Sequence, residues 1–365
     1  LPKIAEDQIM AVTINDIAKA AGVSVSTVSR VLSNSPHPIS QETKNLIYKI
    51  AEEMGYTPNI LARGLRREQS FMIGVVVDNI SSPFAPQIIR GIQHQLQNYN
   101  YSILIGPDTG RNHEIEAAVA KNLNARQVDG IIFVDTSLHV DNAKLDWLEK
   151  PIVYVNRFME ASCHNCIGPD DYQNARIAVR HLAEIGHRQI AYIAGPPGWI
   201  ASENRLMGYI EELNDWDILI DEDMMEIEGN KWSVQTGYRC AFRLLQRRNP
   251  PTAIFGANDL IALGAIYAAK ELGRTISGEF SIIGYDDRYF ARFVRPSIST
   301  VTMPNYEMGL VAAETLMDLF NDNLSPESSP RLICGNVIRR KTTGFGEVDQ
   351  DDEFIFEDEW VDERN

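Results

Sequence analysis

TINDIAKAAGVSVSTVSRVL, residues Thr13–Leu32, reads as two short helices around a tight turn. Thr13 stands where a hydroxyl can cap the first helix, Asp16 answers it three positions on, and Ile14, Ile17, Ala18 and Ala21 share one face. Gly22 ends that helix. Ser24 caps a second, with Val23, Val28, Val31 and Leu32 turned inward and Val25, Ser26, Thr27, Ser29 and Arg30 left outward. An outward face of hydroxyls with one arginine suits a nucleic-acid groove. Taken alone, the same pattern also describes an ordinary helical hairpin, and the surrounding chain has to decide.

The next residues, SNSPHPIS, form a loop, after which Ser40 opens a third helix with Leu46, Ile47, Ile50, Ala51 and Met54 on its apolar face and Gly55 at its end. Three helices in so few residues make a compact module. In YTPNILARGLRR, Pro58 can begin a short helix bearing Leu61, Leu65 and three arginines. That helix has too little apolar area to fold alone, so it needs a symmetry mate or DNA.

Charge separates the two ends of the chain. The 365 residues carry a formal net charge of −16, a poor match to a nucleic-acid binder until the charge is divided along the sequence. Between Ala11 and Arg67, seven basic residues face four acidic ones, whereas after Phe345 ten acidic residues face only Arg364. Nucleic-acid binding is therefore expected at the front alone. The four cysteines, at 163, 166, 240 and 334, fit a reducing compartment better than a disulfide framework. No apolar run reaches membrane-spanning length, and residues 1–10 lack a basic flank followed by an apolar core, so a cytoplasmic location is expected with no membrane partner. Those ten residues are set aside as a remnant or an upstream start.

From Phe71 the texture becomes α/β, with strand candidates at 72–78, 101–106, 129–135, 151–156, 189–195, 252–257, 280–286 and 331–340, and helix-length amphipathic segments between them. Buried runs flanked by helices imply parallel sheets, whose ligands sit outside the carboxyl ends of the strands. No glycine fingerprint for a dinucleotide or a phosphate loop opens any of these helices.

TINDIAKAAGVSVSTVSRVL, GYTPNILARGLR, GANDLIALGA and IIGYDD occur in an order that resembles the lac repressor (LacI/GalR) family over roughly Val12 to Gly344, nearly the whole chain. The resemblance implies a small all-α helix-turn-helix domain at 11–57 and a hinge helix and linker at 58–70. It implies an α/β body at 71–344 like the periplasmic binding proteins, with two doubly wound parallel-sheet subdomains. One subdomain is expected at about 71–168 and 303–324 and the other at about 169–302 and 330–344, with crossovers near Gly168, Met303 and Leu324 to Pro330. The family acts as a homodimer on double-stranded, palindromic operator DNA, and repression is its commoner mode.

Carried over residue by residue, the resemblance places Val25, Ser26 and Arg30 in the major groove, where Arg30 can fork onto a guanine. Thr27, Ser29 and Asn34 hold phosphates. Leu65 matches an apolar wedge in the minor groove, with Asn59, Arg63 and Arg66 beside it; a plain helix–helix contact is the alternative. The effector positions are Phe84, Asn156, Arg157, Arg205, Trp232, Asn258 and Asp286. A forked donor, an amide and a carboxylate suit vicinal hydroxyls, and the two aromatic faces suit a sugar ring. Asp286 and Asn258 as helix caps and Arg205 as a structural ion pair are the competing readings. Trp199 and Ala201 stand where the purine-responsive branch carries polar residues, so a sugar or sugar derivative is expected before a purine corepressor or a phosphocarrier protein.

Other signals are weaker. Cys163-His164-Asn165-Cys166 lacks further ligands at metal spacing and reads as a loop leading into a strand, so no metal or cofactor is expected. The scattered histidines form no catalytic arrangement, and no enzyme activity is expected. The acidic tail at 345–365 has no heptad repeat and reads as disordered, or as a mimic of DNA charge.

Overall fold

The computed structural model describes residues 12–32, 37–56, 69–141, 147–159, 165–226, 231–276, 280–321 and 329–344. The chain forms two compact units, one ending at Phe71 and the other beginning at Met72. Among the described residues no helix is long and apolar enough to cross a membrane.

The front unit holds α1 (Ile14–Ala21), α2 (Val25–Leu32) and α3 (Gln41–Glu53). One Asp16 carboxylate oxygen accepts from both the Thr13 N–H (2.9 Å) and the Thr13 hydroxyl (2.7 Å), which fixes the first turn of α1. Gly22 leaves that helix at φ +65°, a left-handed conformation in which a side chain would be strained. Ile17, Ala18, Val28, Val31, Ile47 and Ala51 close the core, and the Tyr48 hydroxyl donates to the Val31 carbonyl at 3.0 Å. Leu46 departs from its expected inward place and is 46% exposed. With Ile47 and Ala51 buried one turn apart, Leu46 falls about 100° round the helix from the core stripe. The hinge segment 58–68, the acidic tail and the pair Cys163-His164 lie outside the described residues.

Among the described residues the body forms two six-stranded sheets. The first uses β1 (Met72–Val77), β2 (Ser102–Ile105), β3 (Gly130–Asp141), β4 (Ile152–Met159), β5 (Cys166–Pro169) and β11 (Arg331–Ile333), in the order β11-β5-β4-β3-β1-β2 and parallel throughout. The second uses β6 (Ile190–Ile193), β7 (Met225–Glu226), β8 (Ala253–Gly256), β9 (Ser281–Asp286), β10 (Ser299–Thr302) and β12 (Val337–Ile338), in the order β12-β10-β9-β8-β6-β7. Only β12 runs antiparallel there. Buried runs such as Val75, Val77, Ile132 and Val134 in one lobe and Ile254, Ile282 and Ile283 in the other are covered by helices, as parallel sheets require.

Helices α4 (Ala85–Gln97), α5 (His113–Ala125) and α10 (Asn305–Phe320) pack on the first sheet, and α6 (Asp171–Glu184), α7 (Ile200–Asp215), α8 (Val234–Leu245) and α9 (Asp259–Glu271) on the second. The chain crosses between lobes after β5, after β10 and after β11. The third crossing corrects the expected one: it lies at 334–336, not Leu324 to Pro330, because Arg331–Ile333 pairs with Ile167–Pro169 in the first sheet while Val337 and Ile338 pair with β10 in the second. The single strand expected at 331–340 is thus two short strands in different sheets, and 331–333 leaves the second subdomain for the first.

Candidate functional site

Two surfaces carry the residues singled out by the sequence. On α2, Val25, Ser26 and Arg30 are exposed, while Thr27 and Ser29 are half-buried. Ser24 caps the helix by accepting from the Thr27 N–H at 3.1 Å, and its hydroxyl lies 2.8 Å from those of Ser26 and Thr27. The cap therefore orients both hydroxyls at the start of the helix, with the Arg30 cation toward its end. Asn34, Asn59, Arg63, Leu65 and Arg66 lie outside the described residues.

The second surface is built at the carboxyl ends of parallel strands in both lobes. Asp286 closes β9, with Tyr285 before it, and Asn258 follows β8 as the cap of α9. Arg205 comes from the second turn of α7 and is buried. Its Nε and Nη2 reach one Asp171 oxygen at 2.9 and 2.8 Å, and its Nη1 donates to the Ala257 carbonyl at 2.6 Å. Its guanidinium carbon lies 3.6 Å from the centre of the Tyr285 ring and 5.3 Å from that of Trp232. Burial opposes the Arg205 charge, but Asp171, Tyr285 and Asp286 together outweigh it and raise the pKa. Trp232 packs on Gly195, where a Cβ would stand 2.0 Å from the indole, and meets Trp199 edge-on with centroids 6.1 Å apart.

Asp286 is buried at φ +111° and accepts from Arg288 Nε at 2.9 Å. Burial raises its pKa, against the pull of Arg205 and Arg288. Phe84, in the first lobe, lies under the Arg288 guanidinium at 5.1 Å. Asn156 lies in the buried part of β4 at φ +59°, with its amide donating to the Asp135 carbonyl at 2.8 Å. Among the described residues, Asn156 Oδ1, Asp171 Oδ2, Ser202 Oγ and Asn305 Oδ1 are buried without a hydrogen-bond partner. Buried oxygens left in this way are uncommon in folded chains, and a water or a ligand hydroxyl would satisfy them.

The structure brings Arg205, Trp232 and Asp286 together and sets Phe84 beside them through Arg288. Asn258 is partly committed, since its Oδ1 accepts from the Ile261 N–H at 2.9 Å and only its amide N–H groups remain. Arg157 departs from expectation. Its guanidinium is buried among carboxylates, with Nε 2.6 Å from Asp135 and Nη1 and Nη2 at 3.0 and 2.5 Å from Glu116. The reason is a break in strand alternation: Asn156 takes a left-handed φ of +59°, so Arg157 falls on the same face of β4 as Tyr154, where its guanidinium packs over Phe133 and Tyr154. His113, Glu116 and Asp141 in the same cluster have metal-ligand spacing, and Arg157 is ion-paired with both carboxylates, at 2.5 and 3.4 Å.

Asp171, Tyr285 and Arg288 were not foreseen. Arg288 is signalled by standing two residues beyond Asp286 in GYDDR. Asp171 lies 34 positions before Arg205, and nothing local links them.

Comparison with known proteins gives the same architecture. Residues 13–59 match the lacI family of bacterial regulatory proteins and residues 179–343 the periplasmic binding protein-like domain. The chain is 34% identical to the HTH-type transcriptional repressor CytR of Escherichia coli K12 over 93% of its own length and 98% of that protein. It is 32% identical to catabolite control protein A of Priestia megaterium over 91% and 100%. Among solved structures, the lac repressor dimer bound to operator and the anti-inducer ONPF superposes with a TM-score of 0.72, 27% identity and coverage of 91% and 99%. The CelR–cellobiose complex gives 0.60, also at 27% identity, with the same coverage. These relatives are regulators of transcription. The chain belongs to the lacI family: it is a DNA-binding transcriptional regulator with a helix-turn-helix front and a periplasmic-binding-protein-like effector domain.

Proposed function

We propose that this chain is a cytoplasmic repressor that binds a palindromic operator as a homodimer and releases or tightens its hold when a carbohydrate-like effector enters the cleft between the two body lobes. Residues 11–57 read the DNA, 58–70 couple, and 71–344 bind effector. Arg30 supplies the main base contact, Val25 an apolar one, and Ser26, Thr27, Ser29 and Asn34 the hydroxyl and amide contacts. Asn59, Arg63, Leu65 and Arg66 act at the minor groove. Phe84, Asn156, Arg205, Trp232, Asn258 and Asp286 hold the effector.

The observation that carries this reading is the cluster of Arg205, Tyr285, Trp232 and Asp286 at the strand ends, with buried oxygens unsatisfied around it. Aromatic faces beside a fixed donor and acceptor are the chemistry of sugar recognition, and the CelR–cellobiose complex shares the fold. The chain works by linking two binding equilibria rather than by catalysis. Because Trp199 and Trp232 are in mutual contact at the site, intrinsic fluorescence reports binding directly. Titration with mono- and disaccharides, sugar acids, sugar phosphates, nucleosides and purines is expected to give a saturable change with a carbohydrate, lost when Trp232 is replaced by Phe. Saturable binding of a purine alone would overturn the assignment.

A further inference from the structure

The remaining feature of the cleft is Arg288. Its Nε donates to Asp286 at 2.9 Å, and its guanidinium carbon stands 5.1 Å from the centre of the Phe84 ring, which belongs to the opposite lobe. The side chain is only 21% exposed, yet Nη1 and Nη2 have no acceptor among the described residues. Two other arginines among the described residues are committed at more than one nitrogen: Arg205 is bound by Asp171 and Ala257, and Arg111 by Asp78 at its Nε (3.0 Å) and by the Ser137 hydroxyl at its Nη2. Arg288 thus presents a two-nitrogen fork held by one ion pair and one aromatic face, so its orientation is set before any ligand arrives.

Resting on the reading of this cleft as the effector site, we propose that the effector is a sugar acid and that Arg288 is the specificity residue, its Nη1 and Nη2 gripping the effector's carboxylate in a bidentate pair. When a ligand displaces water from the cleft, the N–H groups of that fork lose their hydration. Neutral hydroxyls offset that loss poorly, and a planar carboxylate matches the fork with two anionic oxygens. A dianionic phosphate fits less well, because Asp286 and Asp171 stand close by and one unshared guanidinium end cannot balance two charges. Phe84 holds the arginine where the acid would meet it while the ring's hydroxyls reach Asp286 and Asn258.

The test is calorimetric titration of the full chain with matched pairs, D-glucuronate against D-glucose and D-galacturonate against D-galactose, with glucose 6-phosphate alongside. At least one uronate is expected to bind about tenfold or more tightly than its neutral parent. That advantage should vanish in Arg288→Met, return in part in Arg288→Lys, and shrink as salt is raised, with thermal midpoints confirming that both variants fold. Equal binding of acid and parent, or a preference that survives Arg288→Met, overturns the proposal. Tight binding of the 6-phosphate alone overturns the carboxylate assignment. If none of the five binds but a neutral sugar or nucleoside from the wider panel does, the sugar-acid inference falls and the cleft stands; if nothing in that panel binds, both fall.

Discussion

The Arg205 guanidinium and the Tyr285 hydroxyl donate to the same Asp171 oxygen, at 2.9 and 2.9 Å, while the arginine lies 3.6 Å from the centre of that tyrosine's ring. The three residues come from α7, β9 and the start of α6, and form one buried ion pair roofed by an aromatic face. Arg205 is therefore as much a structural member of the second lobe as a ligand donor. Asp171→Asn is expected to lower stability by about 3–5 kcal/mol, the usual cost of stranding a buried charge. Urea unfolding measures it. A loss below about 1 kcal/mol would mean that the pair contributes little to the lobe.

A consequence is that Arg205→Ala is a poor probe of effector binding, since it strands Asp171. Asp286→Asn is cleaner, because it removes one charge while keeping the shape of the side chain and an oxygen that can still accept from Arg288 Nε. Effector affinity should fall about tenfold or more where Asp286 accepts from a ligand hydroxyl. Fluorescence titration distinguishes that from no change.

Gly195 gives a steric test. A Cβ there would stand 2.0 Å from a rigid indole, so Gly195→Ala must push Trp232 off its seat. Overpacking of this kind costs about 1–3 kcal/mol. The variant should lose stability and effector affinity together, and a crystal structure with Trp232 unmoved would contradict the account.

At the front, Arg30→Ala should cost about 1–3 kcal/mol of discrimination at one base pair in each half-site. Selection of operator sequences from a random pool by wild type and variant reads this directly. Uniform weakening at every position, with specificity kept, would make Arg30 a phosphate contact instead.

Acid should weaken the body through two histidines. Burial, with help from the Arg339 charge, lowers the His181 pKa from 6.5 to about 4, and burial lowers that of His187 as well. The folded state then binds fewer protons than the unfolded chain. The stabilisation is complete above pH 6.5 and is lost as pH falls toward 4. The urea midpoint should drop over that window, and His181→Gln, which can still reach the Thr343 hydroxyl, should flatten the drop.

What could be read in advance was local. The Thr13–Asp16 cap, the Gly22 break and the inward Val28 and Val31 are encoded within a few residues of one another, and buried strands such as 72–77 announce themselves by composition. Pairs joined only by the fold left no such trace: Asp171 with Arg205, Arg288 with Phe84. The burial of Arg157 among Glu116, Asp135 and Asp141 depends on the left-handed φ at Asn156 and on partners 16 to 41 residues away, neither of which its neighbours in sequence announce. The stretch 331–340 was read as one strand because segments of three and two residues are too short to show a period.

The account's central claim is that occupancy of the cleft changes the grip of α2 on DNA. The direct measurement is anisotropy of a labelled, selected operator titrated with full-length protein, with and without saturating members of the sugar, sugar-acid, nucleoside and purine panel. One carbohydrate should change the operator dissociation constant by a factor of about 5–150, the range of ordinary allosteric coupling. An operator bound specifically, with a carbohydrate saturating the cleft and no change in that constant, would contradict it.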